Sequence, residues 1–259
     1  MIKTAKHPRV GNIYYFPERL KNKLALISSY PVTVVEAPSG FGKTTAVREY
    51  LNDNIPRNTH IHWHICLGEP PSRVWEGICG LFAGVMLDVA ETLKALGPPT
   101  IETLADVASV MRTVQAGMKT YLVVDNYQLF DNAIPREIID AFSVHVCDNL
   151  RVIFITQPLP DSKQKFYNTN INNLAEGDFL FDRDNTARMC RMFGIKLPEK
   201  ELDYLQKVSA GWVAVIRLQA ENYRETGSLA QMNDMDSLVE TAIWNRLAQD
   251  ERDFLSVVS

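Results

Sequence analysis

Residues 32–50 read VTVVEAPSGFGKTTAVREY, and the reading of this stretch decides the fold. Val32 to Val35 form a short apolar, β-branched run bounded by Pro31 and by Pro38 and Gly40. Such a run is too short for a helix and suits a buried strand. A glycine-bearing turn follows, and from Lys43 onward the composition is helical, with no breaker until Asn52. Strand, glycine turn and helix, with Gly42-Lys43-Thr44 at the joint, make the P-loop arrangement.

Those residue types suit a polyanion. Backbone N–H groups at a helix N-terminus supply several donors and a favourable dipole, and large side chains would only block the approach. Gly40 and Gly42 free the main chain of the Ser39-Gly40-Phe41-Gly42 turn to wrap a β-phosphate. Lys43 is placed to reach β and γ oxygens, the Thr44 hydroxyl is the expected Mg²⁺ ligand, and Thr45 adds a further phosphate contact. Ala37 stands where the strict motif has its first glycine, a small-for-small departure.

Working outward, Pro17 opens a helix with Leu20, Leu24 and Ile27 on one face. Ile55-Pro56 closes the P-loop helix, and Thr59 to Leu67 is expected to be a second strand. Its three histidines, His60, His62 and His64, alternate onto one face. A zinc site there lacks ligands to complete it, so packing against the sheet is the preferred reading. A helix starts at Pro70-Pro71, with Val74, Trp75, Ile78, Leu81, Phe82 and Val85 inward. Another is expected over Ile101 to Ala116 after the Gly97-Pro98-Pro99 break.

Thr120-Tyr-Leu-Val-Val-Asp125 is an apolar strand ending in aspartate, the Walker B pattern, whose carboxylate holds Mg²⁺ through water. It lies about 80 residues beyond Lys43, which fits a parallel sheet with both strand ends beside the phosphates. A helix over Ile134 to Val146 is expected to bury Ile138, Phe142 and Val146. Leu150 to Ile155 is a fourth strand ending in Thr156-Gln157, and Asp178 to Phe181 is assigned as the fifth. The fold class is therefore α/β, a doubly wound parallel five-stranded P-loop sheet over residues 1–181. Three helices, 183–193, 198–209 and 212–225, form a small helical domain over 182–235. Residues 236–259 are again helical and end with an apolar face unpaired, so the chain is expected to stop inside a further domain.

Composition sets limits. The 259 residues carry 27 basic and 31 acidic side chains, a formal charge of −4, with no long runs of either sign. That surface has no general pull toward a polyanion and speaks against a nucleic-acid-binding module within this stretch. Four scattered cysteines without a C-x-x-C pair suit buried thiols in a reducing compartment. No apolar leader core and no run of 18 apolar residues are found, so a cytoplasmic location away from membranes is expected.

With these landmarks the sequence resembles the STAND class of signal-transducing ATPases, and within it the MalT-like, large LuxR-type transcriptional regulators. The stretches that carry the likeness are VVEAPSGFGKTT, YLVVDNYQLFDN, LRVIFITQPLP, SAGWVAVIRLQA and ERDFLSVVS, the last marking the start of a winged-helix domain over 236–259. DNYQLF with GWVAVIRL is the specific part. The resemblance implies an ATP/ADP switch used in signal transduction and transcription regulation: ADP-bound and closed at rest, then opened by ATP and an inducer of unknown identity to self-associate. DNA would be bound only by a C-terminal domain absent here. It also implies that Asp125 orders Mg²⁺, that Asn126 and Gln157 sense the γ-phosphate, and that Phe16-Pro17 and Trp212-Val213 flank the adenine.

Several positions depart from the family pattern. Asn126 replaces a usual second aspartate, and an amide cannot take a proton from water. Gln157 replaces a usual arginine, Val213 a small residue or proline, and Pro17 an arginine. Hydrolysis is therefore expected to be slow or absent. The competing readings are a working P-loop ATPase or kinase and a nucleotide-free degenerate scaffold.

Overall fold

The computed structural model describes residues 14–130, 137–158 and 170–231. These fall into two compact units: residues 18–180, and a second in which 14–17 join the chain from 181 onward. The helix start at Ile134, residues 232–235 and the expected winged-helix segment over 236–259 lie outside the described residues.

In the first unit the apolar runs become the strands β1 (Val32–Glu36), β2 (His60–Ile65), β3 (Thr120–Asp125) and β4 (Leu150–Thr156). With β5 (Ile171–Leu174) they form one all-parallel sheet in the order β2-β3-β4-β1-β5. Register couples Val32 to Val152 and Leu122 to Val152, so alternate residues of neighbouring strands share a face. Val32, Val34, Leu122, Val124, Val152 and Phe154 pack on one side under α3 (Pro71–Ala83), α4 (Leu87–Leu96), α5 (Leu104–Arg112) and α6 (Ile138–Phe142). The opposite side carries Tyr121 and Trp63, reached by Ser28 after α1 (Glu18–Ala25) and by Arg48 of α2 (Lys43–Asn54). Helices thus cover both faces, which fully buried parallel strands require.

The histidines of β2 have a structural neighbour. A Cβ added at Gly77 would lie 2.2 Å from the His64 ring, and one at Gly84 would lie 2.7 Å from that of His62. The two imidazoles occupy space that these α3-side glycines leave open, and His60 is exposed.

Three expectations need correction. The fifth strand is Ile171–Leu174, whereas Glu176–Phe179 within and before the expected span is a helical turn, α7. The Asp178 carboxylate accepts from the Ala175 N–H at 3.0 Å, which stabilises that turn. The helix expected over 134–146 ends at Phe142, because Ser143 closes its last turn by donating to the Asp140 carbonyl at 2.7 Å. Val146 then lies past the helix end and is 77% exposed rather than buried. The helix expected over 101–116 is a 3-10 turn (Ile101–Thr103) leading into α5, which stops at Arg112.

The second unit holds α8 (Arg183–Met192), α9 (Glu199–Ser209) and α10 (Val213–Thr226) around Phe181, Cys190, Leu205, Ile216 and Ala220. Asp182 caps α8 by accepting from the Asn185 N–H at 2.8 Å. Gly211 (φ +83°) turns the chain between α9 and α10 against the Phe181 backbone, whose N–H donates to the Gly211 carbonyl at 2.9 Å. Tyr15 meets Phe181 edge-on, tying residues 14–17 to this core.

Candidate functional site at the strand tips

The loop after β1 bends through Gly40 (φ +76°) and Gly42 (φ +78°), conformations that glycine adopts without a Cβ clash. Gly42 is the N-cap of α2, so that helix points its unpaired N–H groups and positive dipole end into the turn. Phe41 is buried at 8% exposure and anchors the loop between the two glycines. Ser39 is exposed, while Thr45 is half-buried on the first turn of α2.

Lys43 folds back over this loop, and its Nζ donates to the Ala37 carbonyl at 2.7 Å and to the Pro38 carbonyl at 2.9 Å. Burial pulls its pKa down to about 8, against the pull of the Asp125 charge. An ammonium only partly compensated in this way gains from a phosphate oxygen brought within reach.

Across from it, the Thr44 hydroxyl meets both carboxylate oxygens of Asp125, at 3.1 and 3.0 Å. Asp125 ends β3, is 3% exposed, and also accepts from the Asn126 N–H at 2.9 Å. Burial raises its pKa, and Thr44, the Asn126 amide, the Trp63 indole and Lys43 oppose that rise. A hydroxyl and a carboxylate so close form a hard oxygen pair of the kind Mg²⁺ takes beside phosphate oxygens and waters. The residues present fit that ion, with Thr44 and Asp125 able to hold it.

Asn126 takes a left-handed backbone (φ +57°), which asparagine tolerates better than most residues. It starts a short turn that continues as the 3-10 segment Tyr127–Phe130. At the tip of β4, the Gln157 N–H donates to Gln128 Oε1 at 3.0 Å. The sequence reading names Asn126 and Gln157 but misses Gln128, the residue that connects their two loops. Cys66, whose N–H donates to the Asp125 carbonyl at 2.9 Å, is buried with its thiol pushed up to about 12 and is inert there.

The first unit therefore brings together Ser39, Gly40, Phe41, Gly42, Lys43, Thr44, Thr45 and Asp125, with Asn126 and Gln157 on the adjoining loops. Phe16, Pro17, Trp212 and Val213 belong to the second unit. There Phe16 stacks with Tyr14, Trp212 is 38% exposed at the N-cap of α10, and Val213 packs against the helical core.

No family model matches the chain. It is similar to the HTH-type transcriptional regulator MalT of Yersinia pestis, 24% identical over 231 aligned positions covering 83% of this chain. The MalT of Yersinia enterocolitica is 23% identical over the same length. The chain spans about a quarter of these relatives, 24% of their length. Among solved structures it resembles a Walker-type ATPase of Pyrococcus abyssi, with TM-score 0.52 and 14% identity over 90% of this chain and 73% of that one. It also resembles a signal transduction ATPase with numerous domains (STAND) bearing a tetratricopeptide repeat sensor, from Pyrococcus horikoshii. For that protein the TM-score is 0.54 and the identity 14%, over 95% of this chain and 34% of the other. With its five-stranded parallel sheet and its glycine-bent loop at the head of α2, the chain has a P-loop fold, and its sequence is similar to the corresponding quarter of the MalT regulators.

Proposed function

We propose that this region is the ATP/ADP-binding switch of a MalT-like transcriptional regulator, binding nucleotide with Mg²⁺ and hydrolysing it slowly or not at all. The observation that carries the reading is the pair of substitute contacts at the strand tips. Lys43 sits on its own loop's carbonyls and Thr44 on Asp125, each in a place where a phosphate oxygen or a hydrated cation could take over. The Gly40 to Gly42 main chain, Lys43, Thr44 and Thr45 would hold the phosphates, and Thr44 with Asp125 would hold the metal. Bound there, Mg²⁺ would neutralise phosphate charge.

Asn126 and Gln157 are the γ-phosphate sensors in this reading. Neither can act as a base at neutral pH or supply a cation, which is why turnover is weak. Switching needs unequal nucleotide affinity for the resting and active arrangements of the whole regulator. ADP would favour the resting form and ATP, with an inducer, a self-associating one. DNA contact would belong to a segment beyond this region, in keeping with the net charge of −4.

Isothermal titration with ADP and ATP in MgCl₂ tests the reading on the chain and on Lys43→Ala. Wild-type binding with a loss of about 100-fold in the variant is expected, from two charge-assisted contacts at ~1.5 kcal/mol each. Equal weak binding by both proteins overturns it.

A further inference from the structure

We propose that Gln128 is a positioning residue that ties the turn after β3 to the tip of β4, so that a γ-phosphate at Gln157 is registered at Asp125. The proposal rests on the nucleotide-binding reading above and adds to it the route by which ATP and ADP are told apart.

The route consists of hydrogen bonds already made. The last ladder pair of β4 with β1 is Thr156 with Glu36, so the N–H of Gln157 emerges beyond the sheet and needs an acceptor from elsewhere. It finds Gln128 Oε1, 29 residues away in sequence. Gln128 lies in the Tyr127–Phe130 segment, the chain's continuation from Asp125 and Asn126. Within that turn the Asn126 N–H holds Asp125 Oδ1, and the Leu129 N–H donates to the Asn126 carbonyl at 3.0 Å. Four consecutive residues, 126–129, thus grip the carboxylate at one end and the β4 tip at the other.

The turn also has a rigid base. Tyr127 is 3% exposed and Phe130 2%. The Tyr127 ring meets Phe154 of β4 edge-on with centroids 5.3 Å apart, and Phe154 in turn meets Phe142 at 5.7 Å. With both aromatic neighbours fixed, Gln128 has little freedom to follow a displaced Gln157 except by carrying the turn with it. Movement at one tip is therefore passed on rather than absorbed.

A cap that merely satisfies the Gln157 N–H would affect both nucleotides alike. A coupling element affects only the one that reaches Gln157, and this difference is the test. Kd values for ADP and for a slowly hydrolysed ATP analogue, both with MgCl₂, are measured on wild type, Gln128→Met and Gln128→Asn. Methionine keeps the length and loses the acceptor, and asparagine keeps the amide but is one methylene too short.

The expected result is a loss of about 5- to 10-fold in affinity for the ATP analogue, the scale of one hydrogen bond, with ADP within about 2-fold of wild type. Hydrogen exchange at the Gln157 amide should speed up in the same variants, with the unaltered ADP affinity reporting an intact fold. If either folded variant keeps the wild-type ratio of the two Kd values, or loses both nucleotides equally, Gln128 is only a cap and the proposal fails. In that case Lys43→Ala still weakens binding of both nucleotides by about 100-fold and the switch reading survives. A wild-type protein that binds neither nucleotide overturns both.

Discussion

The two units use buried polarity in opposite ways. In the helical unit the buried and half-buried amides of Gln206 and Gln219 lock backbone. Thr186 donates to Gln206 at 2.8 Å, Gln206 donates to the Phe181 carbonyl at 3.0 Å, and Gln219 makes a two-way amide contact with Ala230 at 3.1 and 2.9 Å. In the P-loop unit Lys43 rests on its own loop's carbonyls and Thr44 on Asp125, contacts that on the proposed reading an incoming ligand would replace, and Lys43 and Asp125 carry shifted pKa values. Substitutions in the first kind of network should therefore cost stability, and substitutions in the second should cost binding while sparing the fold.

The severest test is Gly211→Ala in the helical unit. Its Cβ would lie 2.4 Å from the Phe181 carbonyl oxygen, and the backbone there has φ +83°. Both the clash and the left-handed strain act against alanine, and the carbonyl belongs to backbone that the neighbouring hydrogen bonds fix. A loss of about 3 kcal/mol is expected by denaturant unfolding. A variant as stable as wild type would mean that the turn is free to relax.

Lys43→Ala should do the reverse. Its effect on nucleotide affinity is large, but its melting temperature at pH 7 should equal or exceed that of wild type. The sign follows from linkage: native Lys43 releases its proton near 8, while the unfolded chain keeps its proton to about 10.5. Between those values the unfolded state binds more protons, so wild-type stability from this group rises with pH. The penalty for burying the ammonium is complete below about 8 and fades towards 10.5, so any gain of the variant is greatest at neutral pH. A clear fall in melting temperature at pH 7 would place Lys43 in the stabilising network after all.

Gln219→Leu is the next step down. Gln219 is fully buried, and its amide satisfies both the N–H and the carbonyl of Ala230 just past the end of α10. Leucine fills the space but leaves the Ala230 N–H without its acceptor and the carbonyl with only the Tyr204 hydroxyl at 3.4 Å, and a loss of about 2 kcal/mol is expected from thermal or urea unfolding. Nucleotide binding measured under native conditions should be unchanged.

How much of this was legible beforehand depends on where each residue's partner lies. The strands β1, β3 and β4 announce themselves by apolar runs, and Lys43, Thr44 and Asp125 by motif spacing, because local pattern and tertiary role coincide there. The strand β5 was missed because INNL carries two asparagines. Asn172 is nevertheless buried, with its amide donating to the Lys23 carbonyl at 3.3 Å, a satisfaction that no local pattern reveals. The segment around Phe179 looks more strand-like, yet the Asp178 side chain caps the Ala175 N–H and Glu176–Phe179 is a helical turn, with Phe181 beyond its end. Gln128 could not be read at all, since its partner is a main-chain N–H 29 residues away, and backbone donors leave no mark in a sequence.

The smallest effect is a pH dependence within the P-loop unit that separates locking polarity from exchangeable polarity in one residue. His145 is 4% exposed, and its Nε2 lies 3.3 Å from the Pro31 carbonyl, the residue leading into β1. That contact makes Nε2–H the donor and leaves Nδ1 buried without a partner among the described residues. Burial lowers the pKa below the usual 6.5, the Pro31 carbonyl opposes this, and nearby Arg151 adds to the lowering. Below 6.5 the unfolded chain therefore takes up a proton that the native ring refuses. The contribution of this site is intact above that pH and is lost as pH falls. His145→Gln keeps a donor for Pro31 and cannot titrate, so its melting temperature should fall less than that of wild type between pH 7 and pH 5. Parallel curves for the two proteins would mean that the imidazole gains its proton without opening the strand entry, and that His145 belongs with the exchangeable contacts instead.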